Sequence, residues 1–380
     1  MRVWMLVAVF MCLGTMPTCS QDPPQAGKPR AGVSGEIKVR VRPAAVAGQW
    51  YPGDEVELRT MVRKFIATAE ATPRPQLPKK PLLALISAHA GYVYSGATAA
   101  HGYALLRKGD YDTVVILGNA HYAHFHGASI ADVDCYETPL GRVPLDTEAV
   151  SRLRQEPLFQ CLPAAHRREH SIEAQLPFLQ ERLGTFRLVP ILFGELTPKE
   201  CELVAQSIRR CISARSLFVA STDFTHYGAA FGYVPFRDNV RDKLRELNAE
   251  AVARIAQRDF EGFHEHLRRT GNTICGHVPV SVLMKLLPEG AEGRELAYAT
   301  SSDQTGDWSH VVVYVSLGFF GGSNTTPTAS ADGLSPQEKQ LLLTLARQTL
   351  TAVVRGEKPP APPEAALPPP FARNGEPLLR

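Results

Sequence analysis

The sequence predicts a single α/β domain of three layers, in which a mostly buried central β-sheet lies between helices. Several apolar runs are continuous rather than alternating, which is typical of strands covered on both faces. These runs alternate with segments of helical periodicity. Polar residues follow the strand-like runs, at the positions where open α/β sheets carry their functional groups. We therefore expect one domain over residues 41–322.

The first predicted elements alternate between helix and strand. Asp54 is expected to cap a helix, because the apolar residues from Val56 to Phe65 recur with a helical period. The stretch "PLLALISAHAGY" predicts a buried strand, and "GATAAHGYALLRKG" predicts a helix that ends at Gly109. A second strand is expected over 114–117, and a turn with histidine follows it.

The later elements continue this pattern. We expect a hairpin in "GASIADVDCYETPLGRVPLD", a helix capped by Asp146, and a strand followed by a helix in "FRLVPILFGELTPKECELVAQSI". In that unit Thr197 and Glu200 form a capping box. The remaining predictions are a strand in "SLFVASTDFTHYG", helices over about 236–257 and 260–269, and a final strand in "HVVVYVSLGFFGG".

The first 40 residues are predicted to lie outside the domain. Residues 1–19 have the charge and the short apolar run of a signal peptide or lipoprotein leader, with Cys19 as the candidate lipid anchor. Residues 20–40 are a polar linker. The expected location is therefore outside the cytoplasm, in the periplasm or at the cell envelope. A wrongly assigned start codon is the alternative, and it would leave the protein in the cytoplasm.

The chain changes character again after residue 322. Residues 323–334 are a predicted linker, and one amphipathic helix is expected from Ser335. A proline-rich tail follows and extends to residue 380.

Charge and cysteine content exclude several classes of protein. The net charge of +3 is spread along the chain without a long basic run, which argues against a nucleic-acid partner. Five cysteines lie beyond the leader, and no two of them form a CxxC pair. A dense disulfide scaffold and a four-cysteine zinc site are therefore not expected.

Candidate functional residues follow the predicted strands or lie in loops. Imidazole nitrogens that converge with a thiolate or a carboxylate form the donor set that a single transition metal needs. Small neighbours of His89 would let a metal and a ligand come close. The candidates are His89, His121, Asp223, His226 and Cys275, with a further cluster of Glu169, His170 and Glu173.

Each candidate also has a purely structural interpretation. A single histidine at a strand end is commonly a hydrogen-bonded structural residue, and a buried cysteine is commonly a small apolar one. Glu169 and Glu173 are equally consistent with the first turn of a helix. Asp223 is also consistent with a cap on the next turn. The functional interpretation depends on the occurrence of these residues at successive strand ends.

Seven ordered motifs over about residues 40–320 resemble the Memo family, which is called AmmeMemoRadiSam system protein B in prokaryotes. They are "AGQWYP", "AHAGYVYSG", "VILGNAHY", "ETPLG", "EHSIEAQLPFL", "VASTDFTHYG" and "GNTICGHVPV". The resemblance implies a fold similar to class III extradiol dioxygenases, which are non-heme iron enzymes. The helix after Ser335 resembles the start of an Amme domain that is cut short, which suggests a functional link to Amme and radical SAM proteins.

The resemblance also implies roles for particular residues. It assigns His89, His121 and Cys275 as metal ligands, Asp223 and His226 as the acid/base pair beside the site, and His170 as a further pocket histidine. Fe(II) is the expected metal, and copper and zinc are the alternatives. This chain departs from the motifs at Tyr122, which replaces a second histidine, so that His124 or His126 would have to compensate.

Three functions are therefore considered. The first is a metal-dependent redox enzyme with dioxygenase-like chemistry on a small substrate, in which Asp223 orients His226. The second is a module that binds a peptide or a metal without catalysis, as Memo relatives in animals are thought to bind phosphorylated peptides. The third is a zinc hydrolase, because two histidines and a cysteine also suit zinc.

Overall fold

The structure is a computed structural model that describes residues 39–73, 75–213 and 215–322. The predicted leader, nearly all of the first linker, and the whole of the segment from 323 to 380 lie outside the described residues. In the part that is described, no helix combines the length and the apolar character needed to cross a membrane.

Twelve strands and ten α-helices make up the described residues. The strands are β1 Val41–Arg42, β2 Leu82–Ser87, β3 Thr113–Asn119, β4 Ala128–Ser129, β5 Cys135–Thr138, β6 Gly141–Pro144, β7 Phe159–Gln160, β8 Arg187–Phe193, β9 Ser216–Ser221, β10 His226–Gly228, β11 Glu292–Thr300 and β12 His310–Phe320. The helices are α1 Glu55–Ala71, α2 Tyr92–Tyr103, α3 Thr147–Leu153, α4 Pro163–Arg167, α5 Leu176–Leu183, α6 Pro198–Cys211, α7 Val240–Ala256, α8 Phe260–Thr270, α9 His277–Leu286 and α10 Ser302–Thr305. Two short 3₁₀ helices lie at Glu173–Gln175 and Ala229–Phe231.

Nine strands form one mixed sheet, which confirms the predicted α/β class. The strand order is β10-β12-β2-β9-β3-β8-β4-β7, and β11 pairs with β12. The four central strands β2, β9, β3 and β8 are parallel, whereas β12 runs antiparallel to β2 and β4 antiparallel to β8. Because the central strands are parallel, their carboxyl ends meet at one edge of the sheet.

The central strands are covered on both faces, as their continuous apolar sequences predict. All six residues of β9 are buried, as are five of the six in β2. The helices α6 and α9 pack together on the sheet, and α1 packs on α2. The predicted hairpin is present as β5 and β6, which join β1 in a separate small sheet.

The local signals at helix starts agree with the structure. Asp54 caps α1 by accepting hydrogen bonds from two backbone N–H groups, Asp146 caps α3, and Thr197 with Glu200 forms the capping box of α6. Val56 differs from the prediction, because it is 71% exposed while Leu58 and Val62 face the core. Its position in the first turn of α1 explains this exposure.

Two elements differ more substantially from the prediction. The helix expected over 96–109 begins earlier and ends earlier, as α2 at Tyr92–Tyr103, because its first turn follows the His89 loop directly. Strand β11 has no counterpart in the prediction. Its partly buried residues do not form a continuous apolar run. The strand forms because it pairs with β12, and the local sequence pattern does not indicate that pairing.

Candidate metal centre

Three of the predicted site residues follow neighbouring strands at the same offset. His89 lies two residues beyond β2, Asp223 two residues beyond β9, and His121 two residues beyond β3. Strand β9 lies between β2 and β3, so that the two histidines approach each other across its carboxyl end. Their ring centroids are 5.0 Å apart. The common offset explains how one edge of the sheet can assemble a site.

Cys275 reaches this edge from a turn that ends at α9. The turn lies very close to β9, because a Cβ atom on Gly276 would be 2.5 Å from the Cβ of Thr222. The Gly276 backbone N–H donates to the Thr222 hydroxyl at 2.9 Å. The Asp223 backbone N–H donates to the Cys275 sulfur at 3.3 Å. Glycine is therefore needed at 276 for the thiol to reach the strand end.

His89, His121 and Cys275, which the resemblance assigns as metal ligands, lie in one cluster. One donor atom from each lies within 4.8 Å of the other two. The Nε2 atom of His89 is 3.3 Å from the Cys275 sulfur. His89 is 2% exposed, and the side chain of His121 is 24% exposed. The cluster is therefore mostly shielded from water but open on the His121 side.

Glu169 holds His121 in position. Its carboxylate accepts a hydrogen bond from the His121 backbone N–H at 2.7 Å, and its Oε1 lies 2.9 Å from the His121 Nδ1. Backbone N–H groups of His170 and Ser171 donate to the same carboxylate. Because an ionised carboxylate only accepts, the His121 Nδ1 keeps its proton, and Nε2 is the nitrogen that has a free electron pair when the ring is neutral. Glu169 lies outside the helices, whereas Glu173 begins the 3₁₀ helix Glu173–Gln175, so the interpretation as a helical first turn is correct for Glu173 only.

The charges of the cluster stabilise one another. Burial alone would raise the pKa of Cys275, but the neighbouring His89 and His121 outweigh it and lower the pKa to about 6. Burial alone would lower the pKa of His121, but hydrogen bonds to Cys275 and Glu169 raise it to about 10. Burial would raise the pKa of Glu169, and His121 lowers it to about 2. Without a metal, the site therefore favours a charged His121 ring between the Cys275 thiolate and the Glu169 carboxylate, and a metal that binds Nε2 would take the place of the proton there.

His170 lies between the cluster and the wall of the cleft. Its ring stacks on His121 with centroids 4.3 Å apart, and Trp50 packs on it at 4.1 Å. Its Nδ1 is buried, has no hydrogen-bond partner among the described residues, and lies 3.6 Å from a Glu169 oxygen. Burial and the adjacent His89 and His121 lower the pKa of His170 to about 2, which keeps the ring neutral.

Asp223 and His226 both line the cleft, but their hydrogen bonds run to other groups. The Asp223 carboxylate accepts from the His89 backbone N–H at 2.8 Å, and its burial raises its pKa. The His226 Nδ1 lies 3.2 Å from the Thr273 carbonyl oxygen. The predicted orientation of His226 by Asp223 has no hydrogen bond to support it among the described contacts. Thr273 is the residue that positions this ring.

A cleft of about 750 Å³ opens over the cluster. Its floor contains His89, His121 and Asp223, and its walls are mainly apolar and aromatic. Aromatic wall residues are Trp50, Tyr94, Tyr122 and Phe231. No lysine or arginine is among the described lining residues. This size and lining suit a small organic molecule or an inserted side chain.

Tyr122, the departure from the family motif, lies at the mouth of the cleft. It is 49% exposed, and the Arg168 guanidinium lies over its ring at 5.1 Å. Neither neighbouring histidine takes its place. His126 is exposed and contacts Glu200, and His124 lines a separate cavity of about 400 Å³.

Sequence reasoning did not assign the roles of three residues that shape the centre, although Glu169 was among its candidates. Ser221 contacts the His89 ring, Glu169 holds the His121 ring, and Trp50 covers His170. Trp50 lies in a quoted motif, but nothing local showed that it reaches the cleft. Gly118 was a usable signal, because a Cβ atom there would be 2.7 Å from the Ser171 hydroxyl. A glycine in an apolar strand indicates that another segment comes close.

Fold and site together define an α/β protein in which two imidazoles follow parallel strands at the floor of a cleft and a cysteine from the turn before α9 joins them. A family model for Memo-like proteins matches residues 42–318. The chain is 36% identical over 291 residues to a MEMO1 family protein of Ignicoccus hospitalis, covering 73% of this chain and 98% of the relative. A MEMO1 family protein of Pyrococcus abyssi is 32% identical, with the same coverage of both chains. The chain belongs to the Memo family.

Proposed function

We propose that this protein holds one transition metal through His89, His121 and Cys275 and carries out redox chemistry on a small ligand in the cleft. Fe(II) is the proposed metal, with copper and zinc as alternatives. The observation that supports this is the convergence of two imidazoles and a thiolate within 4.8 Å at the floor of a cleft. Borderline and soft donors of this kind suit transition metals.

The protonation states of His121 and Cys275, as well as their positions, suit metal binding. Glu169 fixes the proton of His121 on Nδ1, which leaves Nε2 as the donor atom. The Asp223 backbone N–H stabilises the thiolate of Cys275. The thiol also immediately precedes Gly276, the cap of α9, and a helix amino terminus favours an anion. When bound, the metal would supply dioxygenase-like redox chemistry to the cleft.

His226 is the proposed acid/base residue of the cleft. The Thr273 carbonyl oxygen near its Nδ1 can only accept, so the proton lies on Nδ1 and Nε2 keeps an electron pair. Phe231 packs edge-on against the ring with centroids 5.1 Å apart and limits its rotation. His226 can therefore take a proton from a ligand in the cleft, and Asp223 beside it favours the charged ring that results.

Metal analysis of protein purified without oxygen tests this proposal. The wild type is expected to contain close to one equivalent of iron or copper. His89→Ala and Cys275→Ser each remove a donor, so the metal content of both variants is expected to fall well below one half. Stoichiometric iron or copper in the His89→Ala, Cys275→Ser double variant would show that the metal, if any, is held elsewhere.

Two further measurements separate the alternative functions. Oxygen consumption by the metal-loaded protein with cleft ligands distinguishes a redox enzyme from a module that only binds a peptide or metal. Zinc as the native metal, with no iron or copper, would favour the hydrolase. The cleft itself is compatible with either a small molecule or a peptide side chain, so the choice depends on these measurements.

Localisation and partners stay proposals that rest on the sequence alone. Export through residues 1–19, with a lipid anchor at Cys19, is tested by fractionating cells and by comparison with a Cys19→Ala variant. A functional link to Amme and radical SAM proteins is suggested by the helix after Ser335. Co-purification of the full chain with such proteins would support the link.

A further inference from the structure

A buried hydrogen-bond network behind His89 has no role in the function proposed so far. At its centre is Ser221, the last residue of β9, which is fully buried. Its hydroxyl oxygen lies 2.5 Å from the Ser171 carbonyl oxygen, 2.7 Å from the Gln175 Nε2 and 2.9 Å from the His89 Nδ1. Three partners therefore surround the Ser221 hydroxyl, which has only one proton to donate.

The orientation of Gln175 follows from its own neighbours. Its Oε1 accepts from the Tyr103 hydroxyl at 2.6 Å. Its Nε2 lies 3.0 Å from the Ala88 carbonyl oxygen, which can only accept. The amide therefore donates from Nε2, and one of its two protons points at the Ser221 hydroxyl.

The proton of Ser221 is then assigned as well. The Ser171 carbonyl oxygen has no proton to give, so the Ser221 hydroxyl must donate to it. The two electron pairs of the hydroxyl are left to accept from Gln175 and from His89. The His89 Nδ1 must therefore carry a proton, and its Nε2, 3.3 Å from the Cys275 sulfur, keeps the electron pair that a metal requires.

We propose that Ser221 is a positioning residue that fixes His89 in its metal-binding tautomer, with Gln175 holding the hydroxyl as an acceptor. This inference rests on the proposed function. The two histidine ligands are oriented by different chemistry, since His121 donates to a carboxylate and His89 to a neutral hydroxyl. The group behind His121 is thus charged, whereas the group behind the His89 ring is neutral. Loss of the hydroxyl would leave the buried Nδ1 of His89 without a partner and allow the proton to move to Nε2.

The test is a titration of metal-free protein with Co²⁺ and Zn²⁺ against a competing chelator, with the thiolate-to-cobalt absorption band as a second readout. Ser221→Ala is expected to weaken binding of both metals about 10- to 100-fold, as is typical for groups that orient a ligand. Ser221→Thr keeps the hydroxyl and is expected to bind within about threefold of the wild type. Ser129→Ala is the matched control, because Ser129 is also a fully buried serine whose hydroxyl contacts a histidine, His166, outside the cluster. It should lower thermal stability while leaving affinity nearly unchanged.

The tautomer of His89 can also be measured in the wild-type protein, so that this test does not depend on the folding of a variant. Long-range ¹H–¹⁵N spectra of the zinc-loaded protein are expected to show a protonated Nδ1 and a metal-bound Nε2 for His89, and the opposite assignment would overturn the inference. Unchanged affinity of Ser221→Ala would also overturn it. His89→Ala separates the two proposals: if it binds cobalt as the wild type does, the proposed function fails. If it loses cobalt while Ser221→Ala keeps it, only the role of Ser221 fails.

Discussion

Individual side chains in the segment from Glu169 to Gln175 connect the candidate metal centre with its surroundings. Glu169 holds His121, whereas Glu173, four residues later, is fully buried against Arg42 and accepts from the Tyr51 hydroxyl at 2.5 Å. The two carboxylates look equivalent in the sequence. One acts on a candidate ligand and the other on the packing of the loop that carries Trp50.

This difference gives a prediction for a matched pair of variants. Glu169→Gln is expected to weaken metal binding about 10- to 100-fold, because the amide cannot fix the His121 proton as the carboxylate does. Glu173→Gln is expected to leave affinity nearly unchanged but to lower the free energy of unfolding by about 3 kcal/mol, because Arg42 loses its buried partner. Chelator competition and urea unfolding measure the two effects. Equal losses of affinity in both variants would contradict the assigned roles.

At the level of helices and strands, the candidate site depends on how closely the backbones of neighbouring elements approach each other. The turn before α9 reaches the end of β9 only because residue 276 has no side chain. Gly91, at the start of α2, is different: a Cβ atom there would be 3.6 Å from the nearest protein atom, which is an ordinary contact. Protein packing does not require a small residue at 91, so its small size matters only to what occupies the cleft.

These two glycines provide the next prediction. Gly276→Ala is expected to destabilise the protein by about 1–3 kcal/mol, as overpacking commonly does, and to weaken metal binding by displacing Cys275. Gly91→Ala is expected to change stability by less than about 0.5 kcal/mol. Thermal unfolding with and without added metal compares them. The explanation would be refuted by a Gly276→Ala protein as stable and as metal-loaded as the wild type.

The prediction from sequence succeeded where local pattern determines structure. The apolar runs of β2, β3 and β9 indicated a buried sheet, and their ends indicated His89, His121 and Asp223 before any contact was known. Glu169 was a candidate without an assigned role, and Ser221 and Trp50 were missed, because the partners of all three are distant in the chain. Glu169 is 48 residues from His121, and Ser221 is 132 residues from His89. Such pairs arise from tertiary packing, which periodicity does not encode.

The molecule as a whole contains buried histidines that affect its stability in acid. His166 is 2% exposed, with its Nε2 3.0 Å from the Ser129 hydroxyl and its Nδ1 3.2 Å from the Tyr136 hydroxyl. Burial and the nearby Arg42 lower the pKa of His166 to about 4. The unfolded chain, with a pKa near 6.5, therefore binds this proton more readily than the folded protein.

The expected result is a loss of stability as pH falls from about 6.5 towards 4, and no contribution of His166 to the pH dependence above about 7. By pH 5 the free energy of unfolding should fall by about 2 kcal/mol through this residue. Urea unfolding at several pH values, with chelator present, measures the effect. A His166→Gln variant should lose less stability than the wild type over this range, and identical pH profiles would argue against the assignment.

The common offset of His89, Asp223 and His121 from their strands has a consequence for evolution. Each side chain is fixed by the strand that precedes it, and neighbouring strands of a sheet are about 4.8 Å apart, so the spacing of the site is set by the sheet itself. The segments that follow these residues form much of the cleft wall. They can change in length and composition without moving the donors, which would allow the same centre to be combined with different ligands through changes in its loops.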